Sequence, residues 1–240
     1  MGREGALSNV FVSREQKIEP FAPLKKGLVV SCQVPDGTPI DTPEFIAAQA
    51  KTVLQAGAVG IRAQGIANVA AVAKAVSVPI IGLVKRYSDS TQIHITPEID
   101  DVLDLEQAGA TIVAIDATGR LRSNGVSFAR FMEEVRSKTD IPLLADVDTL
   151  EAALMAESLG CDAIATTLSG YTDVPAPKLP NIELIAEISK AVKVPVIAEG
   201  GFSRPEHVLQ AFNAGAWSVC IGTAITNPYL LAKSFVQVIS

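Results

Sequence analysis

The chain has 240 residues, 48% of them hydrophobic and 19% charged, and its formal net charge is −6. Such a chain can bury a sizeable core in one large domain, and its acidic balance without a basic run argues against nucleic-acid binding. No apolar run reaches membrane-spanning length, no signal peptide is visible, and Cys32, Cys161 and Cys220 lack CxxC spacing, so we expect a cytoplasmic protein without a membrane partner.

The chain begins with a polar segment and then repeats one pattern. Residues 1–20 fit no repeating unit, so we expect a loosely ordered tail or a lid over the barrel bottom there, and one catalytic domain over residues 21–240. After a first apolar run from Leu28 to Gln33, a helix end, a glycine and an apolar strand recur four times, with the glycines spaced 52, 51 and 55 residues apart. A second pattern places a proline at the entry of an apolar strand, where no ladder N–H is needed, at Pro79, Pro142 and Pro195.

Together these patterns predict eight short buried strands separated by helices. The strands should begin near residues 28, 59, 80, 111, 142, 162, 195 and 217. Eight such units in a chain of this size predict an α/β protein of the (β/α)8 TIM-barrel class with a single domain. A doubly wound open sheet is the alternative.

Nearly every predicted strand ends in a polar or charged residue, and parallel strands end on one face, where ligands bind. In chain order these residues are Gln33, Arg62, Lys85, Asp116, Asp146, Thr166-Thr167, Glu199 and Gly222-Thr223. A charge at the end of a buried strand is unfavourable unless it faces a cavity or a partner. Lys85 and Glu199, which end strands on opposite sides of the repeat, are therefore the first candidates for chemistry.

Glycine-rich turns follow the last two strands. Gly200-Gly201 precede a helix with Ser203 as its expected N-cap, and Gly222-Thr223 open another helix. Small residues and a helix N-terminus favour a bound anion, so these turns predict a phosphate site; two plain tight turns are the alternative. The chain has no Walker A lysine, so a bound nucleotide is not indicated.

We expect no metal and no cofactor. The two histidines, His94 and His207, are far apart in the sequence, and no strand-end serine has a histidine beside it for a hydrolytic triad. The carboxylates of Asp116, Asp146 and Glu199 at the predicted strand ends could attract Mg²⁺, but Lys85 and Arg62 already supply positive charge nearby.

Several segments together resemble the N-acetylmannosamine-6-phosphate 2-epimerase family, and the resemblance covers nearly all of the chain after about residue 24. They are Leu28-Val29-Val30-Ser31-Cys32-Gln33, Gly60-Ile61-Arg62-Ala63, Ile81-Gly82-Leu83-Val84-Lys85, Ala145-Asp146-Val147, Ile197-Ala198-Glu199-Gly200 and Gly222-Thr223-Ala224-Ile225-Thr226.

The resemblance implies a TIM-barrel isomerase, without metal or redox cofactor, that interconverts N-acetylmannosamine 6-phosphate and N-acetylglucosamine 6-phosphate in sialic-acid breakdown. It also implies catalytic roles for Lys85 and Glu199 and substrate contacts for Gln33, Arg62 and Asp146. One motif departs from the family, which usually has Ala-Ile-Thr-Arg-Pro where this chain has Asn227 in place of the arginine.

The residues suit this chemistry. Inversion at carbon 2 of an aldose removes a C–H proton that is acidic only when carbon 1 is an open-chain aldehyde. Lys85 can be the base if burial and Arg62 lower its pKa, and Glu199 can move protons on the sugar oxygens or hold the Lys85 ammonium. Three alternatives stay open: another phosphosugar barrel enzyme, an aldolase-type enzyme that forms a Schiff base at Lys85, and a sugar-phosphate binding module. A homodimer is the candidate assembly.

Overall fold

The chain folds into a closed barrel of eight parallel strands. The computed structural model of the protein describes residues 18–87, 92–122, 125–172 and 177–239. The strands are hydrogen-bonded in sequence order from β1 to β8, and β8 closes on β1. They are β1 Leu28–Cys32, β2 Gly60–Gln64, β3 Ile80–Leu83, β4 Ile112–Asp116, β5 Leu143–Asp146, β6 Ala163–Ala165, β7 Val196–Ala198 and β8 Ser218–Ile221. The TIM-barrel prediction is confirmed, and each strand begins within one residue of its predicted start.

Helices connect the strands, as the repeat predicts. They are α1 Pro43–Gln55, α2 Ile66–Ala75, α3 Ile99–Gln107, α4 Phe128–Arg136, α5 Leu150–Ser158, α6 Ile182–Ala191, α7 Pro205–Asn213, α8 Thr223–Thr226 and α9 Pro228–Val236. Hydroxyl or amide side chains cap several N-termini, as Thr42 does for α1 by accepting from the Phe45 N–H. The four repeat glycines lie just past helix ends at positive φ, which confirms their role as left-handed caps.

The barrel interior is filled by alternate residues of each strand, because side chains point to opposite faces along a strand. Val29, Ile81, Leu144 and Ile197 lie in one buried interior cluster, while their neighbours Val30 and Ala145 belong to the outer layer under the helices. The same alternation places Ser31, Asp146 and Glu199, each two positions after one of these residues, and Lys85, four positions after Ile81, towards the carboxyl end of the barrel.

A short 3₁₀ helix, Glu19–Leu24, closes the opposite end. Its Phe21 and Leu24 are fully buried in the interior cluster, and the Trp217 indole donates to the Phe21 carbonyl at 2.8 Å. This helix begins inside the segment expected to be a loose tail, and residues 1–17 of that segment lie outside the described residues.

The last helix, α9, packs differently from the others. None of its residues is buried, and Phe235 is 74% exposed.

Within the described ranges, no helix is long and apolar enough to cross a membrane.

Candidate active site

A cavity of about 830 Å³ opens at the carboxyl ends of the strands. Eight of the nine site residues predicted from the sequence line it: Gln33, Arg62, Lys85, Glu199, Gly200, Gly201, Gly222 and Thr223. Lys85 and Glu199 reach it from β3 and β7, which face each other across the barrel. The ninth residue, Asp146, is fully buried and lies outside the cavity lining.

Lys85 lies on a short arm that continues β3 and then turns back. An antiparallel bridge joins Lys85 to Ile95, and the Thr96 N–H donates to the Val84 carbonyl at 2.8 Å. Thr96 has φ 45°, an uncommon conformation for a β-branched residue. Its hydroxyl donates to the Ala114 carbonyl at 2.6 Å, which fastens the arm to β4. The base of the arm, and with it the Lys85 backbone, is therefore held firmly.

The amine of Lys85 is held by one neighbour. Nζ donates to Gln33 Oε1 at 2.8 Å, and Gln33 Nε2 donates to Ser31 Oγ at 2.7 Å. Burial and, after it, the positive charge of Arg62 lower the pKa of Lys85, while Glu199, Asp146 and Asp36 oppose this shift. A lysine with a lowered pKa has more free amine near neutral pH and can act as a proton acceptor.

Arg62 is the centre of a buried ion cluster. Its Nη2 donates to Asp146 Oδ2 at 2.6 Å and its Nη1 to Glu199 Oε2 at 2.9 Å. Thr167 completes the cluster, because its hydroxyl lies 2.7 Å from Asp146 Oδ1 and 3.2 Å from Glu199 Oε2. Although burial opposes the charge of Arg62, the two carboxylates outweigh it and raise the pKa of the guanidinium. Arg62 therefore stays charged and holds both carboxylates in place.

Glu199 is the acidic group of this cluster that also faces the cavity. Its side chain is 14% exposed, whereas that of Asp146 is fully covered. Burial raises the pKa of Glu199; Arg62 opposes that change and Asp146 reinforces it. Among the described residues, Lys85 Nζ hydrogen-bonds to Gln33 and no ion pair joins it to Glu199, whose negative charge nevertheless favours the Lys85 ammonium.

The glycine turns are explained in part by packing. Gly200 and Gly201 have φ of 107° and 73°, and a Cβ on Gly201 would lie 2.4 Å from the Leu179 Cβ. A Cβ on Gly222 would lie 3.3 Å from the Ser31 Cβ. The helix after Gly201 begins at Pro205 with Arg204 at the N-cap, so the prediction of Ser203 as the cap is wrong. Both turns nonetheless border the cavity, and the first N–H groups of α8 are free of intrahelical partners by helix geometry.

Asn227, the position that departs from the family motif, has a structural role. It is 7% exposed and lies in the cavity wall. Its Oδ1 accepts from the Leu230 N–H at 3.0 Å and so caps α9.

Asp116 does not join the cavity. The Thr118 hydroxyl donates to its Oδ1 at 2.7 Å, and Arg120 Nη2 to its Oδ2 at 2.9 Å. Across the described parts of the chain, no group of three or more His, Cys, Asp or Glu side chains could hold a metal ion.

Some cavity residues were not assigned from the sequence. Thr167 and Ser31 lie two positions from other interior residues of their strands, so strict period-two counting would have found them. His94 also lines the cavity, and its ring lies against that of Tyr87 with the ring centroids 5.1 Å apart and the planes tilted by 41°. No local sequence signal marks that contact.

Comparisons with known proteins agree on one family. Residues 46–240 match the family model described as putative N-acetylmannosamine-6-phosphate epimerase. A putative N-acetylmannosamine-6-phosphate 2-epimerase of Caldanaerobacter subterraneus subsp. tengcongensis is 42% identical, over 90% of this chain and 92% of that protein. A putative N-acetylmannosamine-6-phosphate 2-epimerase of Edwardsiella ictaluri is 42% identical, over 91% of this chain and 90% of that protein.

Solved structures agree with the fold. The N-acetylmannosamine-6-phosphate 2-epimerase from Clostridium perfringens is 36% identical with a TM-score of 0.84, covering 90% of this chain and 94% of that one. Thiamine phosphate pyrophosphorylase from Pyrococcus furiosus shares the fold alone. It is 16% identical with a TM-score of 0.58, covering 91% of this chain and 99% of that one.

Proposed function

The chain belongs to the N-acetylmannosamine-6-phosphate epimerase family, and we propose that it inverts carbon 2 to interconvert N-acetylmannosamine 6-phosphate and N-acetylglucosamine 6-phosphate. One observation carries the chemistry: a lysine with a lowered pKa faces the same cavity as a glutamate with a raised pKa. An amine whose pKa is lowered and a carboxyl group whose pKa is raised are suited to removing the C–H proton and to moving protons on the sugar oxygens during ring opening.

Lys85 is the base for the carbon-2 proton. In the open-chain aldehyde that proton is acidic, because its removal gives an enediolate-type anion with charge on the carbonyl oxygen. The ammonium formed on Lys85 and the nearby guanidinium of Arg62 stabilise that anion by their charge. The proton must then return to the opposite face of carbon 2.

Glu199 serves the sugar oxygens. Its raised pKa lets it give a proton to the ring oxygen and take one from the carbon-1 hydroxyl during ring opening. Its Oε2 is fixed by Arg62 and Thr167, so its orientation does not change when it exchanges a proton. Asp146, fully buried, positions Arg62 and Thr167 instead of contacting the sugar.

The phosphate binds at the turns Gly200-Gly201 and Gly222-Thr223, and Gln33 contacts the sugar near Lys85. The turns border the cavity, and the α8 N-terminus presents N–H groups to an anion. The lining of this cavity of about 830 Å³ includes these turns together with Ser31, Gln33 and Lys85, and Gln33 joins Ser31 to Lys85 by hydrogen bonds, so a sugar phosphate bound there can contact the turns and Lys85 at once.

Proton NMR of N-acetylmannosamine 6-phosphate with the protein in D₂O tests this function. We expect the N-acetylglucosamine 6-phosphate signals to appear and the carbon-2 proton to be lost to solvent. Borohydride added with substrate should not attach the sugar to Lys85; covalent trapping would indicate Schiff-base chemistry instead. Ligand binding without carbon-2 exchange would leave only a binding module.

Two further predictions stay proposals. The exposed apolar residues of α9, Tyr229, Leu230, Leu231 and Phe235, support a homodimer, since a monomer rarely leaves such a patch uncovered. Sedimentation equilibrium tests this. A cytoplasmic location stays a prediction from the sequence.

A further inference from the structure

Ile95 is an apolar residue that is paired with the lysine of the cavity. It forms the antiparallel bridge of the β3 arm with Lys85. Backbone hydrogen bonds flank this pair, one from Thr96 to Val84 at 2.8 Å and one on the other side at 2.9 Å, so Lys85 and Ile95 form the non-hydrogen-bonded kind of pair. The two side chains of such a pair lie on the same face, with their Cβ atoms about 4.5–5.5 Å apart.

The side chain of Ile95 is a fixed part of the cavity wall. It lines the cavity, is 6% exposed and belongs to the interior cluster of the barrel. The Ile95 carbonyl accepts from the Asp116 N–H at 3.1 Å, and the hydroxyl of the next residue, Thr96, is bonded to the Ala114 carbonyl of β4. The apolar surface beside Lys85 is therefore held to β4 at two points.

The substituent on carbon 2 must lie beside the group that removes the carbon-2 proton. In the proposed substrate this substituent is the acylamino group, whose methyl is only a few bonds from carbon 2, while the phosphate is at the far end of the sugar chain. The apolar lining residues Phe202, Ile221 and Leu230 belong to the phosphate end, because they follow β7, end β8 and lie in α9. Ile95 is the apolar residue that is paired with Lys85.

We propose that Ile95 is a specificity-determining residue, which contacts the acyl group on the carbon-2 nitrogen and limits the length of that group. The proposal rests on the proposed function, in which Lys85 is the carbon-2 base. An apolar side chain favours burial of the acyl methyl. Since the side chain is packed in the barrel interior, it yields little to a longer acyl chain.

The test compares acyl groups of increasing length. In the wild type we expect kcat/KM for N-acetylmannosamine 6-phosphate to exceed that for the N-propanoyl analogue by about 10–200-fold, the usual effect of an extra methylene in a filled apolar pocket. Ile95→Val removes one carbon and the propanoyl group adds one, so this preference should fall by about tenfold or more. Ile95→Ala should have the same effect for the N-butanoyl analogue. An unchanged preference in Ile95→Val would overturn the proposal.

Ile81→Val is the matched control. Ile81 is 1% exposed, belongs to the same interior cluster and lies in β3, four residues before Lys85, but it is outside the cavity lining. The substitution removes the same carbon from the barrel interior. We expect its acyl preference to match the wild type. An equal change in Ile81→Val would show that a looser interior is enough, and would overturn the assignment to Ile95.

A second readout does not depend on turnover. The N-acetyl and N-propanoyl derivatives of glucosaminitol 6-phosphate have no carbon-1 aldehyde and cannot react, and calorimetry gives their Kd values. In Ile95→Val the ratio of the two Kd values should move towards the propanoyl compound by about fourfold or more, the effect of one buried CH₂ group. If the wild type does not epimerise, the proposed function fails. If the Kd ratio is the same in the wild type and in Ile95→Val, this proposal fails by itself.

Discussion

Replacing Arg62 with methionine should test the charge cluster most directly. Methionine roughly keeps the length of the side chain and removes its charge, leaving the carboxylates of Asp146 and Glu199 buried together without a cation. Arg62 is 1% exposed, and its guanidinium forms ion pairs with Asp146 at 2.6 Å and with Glu199 at 2.9 Å. Arg130, whose side chain is 68% exposed and pairs with Glu133 on the surface of α4, provides the matched control as Arg130→Met.

The two substitutions should differ strongly in stability. Breaking a buried pair by removing one partner costs about 3–5 kcal/mol, whereas an exposed pair contributes about 0–1 kcal/mol. For a chain of this size, each kcal/mol lowers Tm by roughly 2–4 °C. We therefore expect a Tm lower by about 6–20 °C for Arg62→Met and by less than about 4 °C for Arg130→Met, measured by calorimetry.

The stability loss of Arg62→Met should also change with pH in a definite direction. Arg62 opposes the rise in the Glu199 pKa, so its removal raises that pKa further. The folded variant then keeps a proton that the unfolded chain releases above a pH of about 4.3, and its stability falls as pH rises from there to the folded pKa. The Tm deficit should be smaller at pH 5 than at pH 8. Equal deficits in the two variants, or a larger deficit at pH 5, would refute the reasoning.

Three further changes probe single residues. Lys85→Ala should lower the rate of epimerisation by about 10²–10⁴-fold, and a variant that keeps more than about a tenth of the wild-type rate would contradict the role. In the wild type, the acidic limb of the kcat/KM pH profile should lie below the ordinary lysine pKa of about 10.4. The reason is that the free amine is the active form and the pKa of Lys85 is lowered. Glu199→Gln should lower kcat more than it raises KM, and a change in KM alone would make Glu199 a uniform-binding residue. Asn227→Arg should lower KM for the phosphosugar, while loss of the α9 cap lowers Tm by about 2–4 °C; an unchanged KM would show that another residue holds the ligand.

The barrel could be predicted from the sequence because its signals are local. A glycine past a helix and a proline before a strand constrain their own backbone, and a strand of four or five residues has little freedom in its bounds. Their positions at the ends of parallel strands placed Lys85, Glu199, Gln33 and Arg62 at one cavity. These predictions needed no knowledge of which residues touch.

The contacts within the site could not be predicted in this way. Arg62 meets Asp146 and Glu199 across 84 and 137 residues of chain, and strand-end position alone did not distinguish a carboxylate that faces substrate from one that holds a guanidinium. The antiparallel pairing of Lys85 with Ile95 joins separate parts of the chain, and the positive φ of Thr96 beside it is not signalled by a threonine. Likewise the exposure of α9 is a property of packing, which no local signal in the sequence marks.

The separate partners of Lys85 and Glu199 explain how a base and an acid share one cavity. A lysine with a lowered pKa and a glutamate with a raised pKa would exchange a proton and form an ion pair if they touched, and the ammonium and carboxylate would then lose both functions. Gln33 holds Nζ on one side, while Arg62 and Thr167 hold Oε2 on the other. With Glu199 protonated, Arg62 and Asp146 alone balance the buried charge; with Glu199 ionised, the cluster carries one net negative charge that burial disfavours. In the proposed mechanism the substrate binds between the two groups, so that Lys85 acts on carbon 2 and Glu199 on the sugar oxygens, and catalysis depends on their separation as much as on their identities.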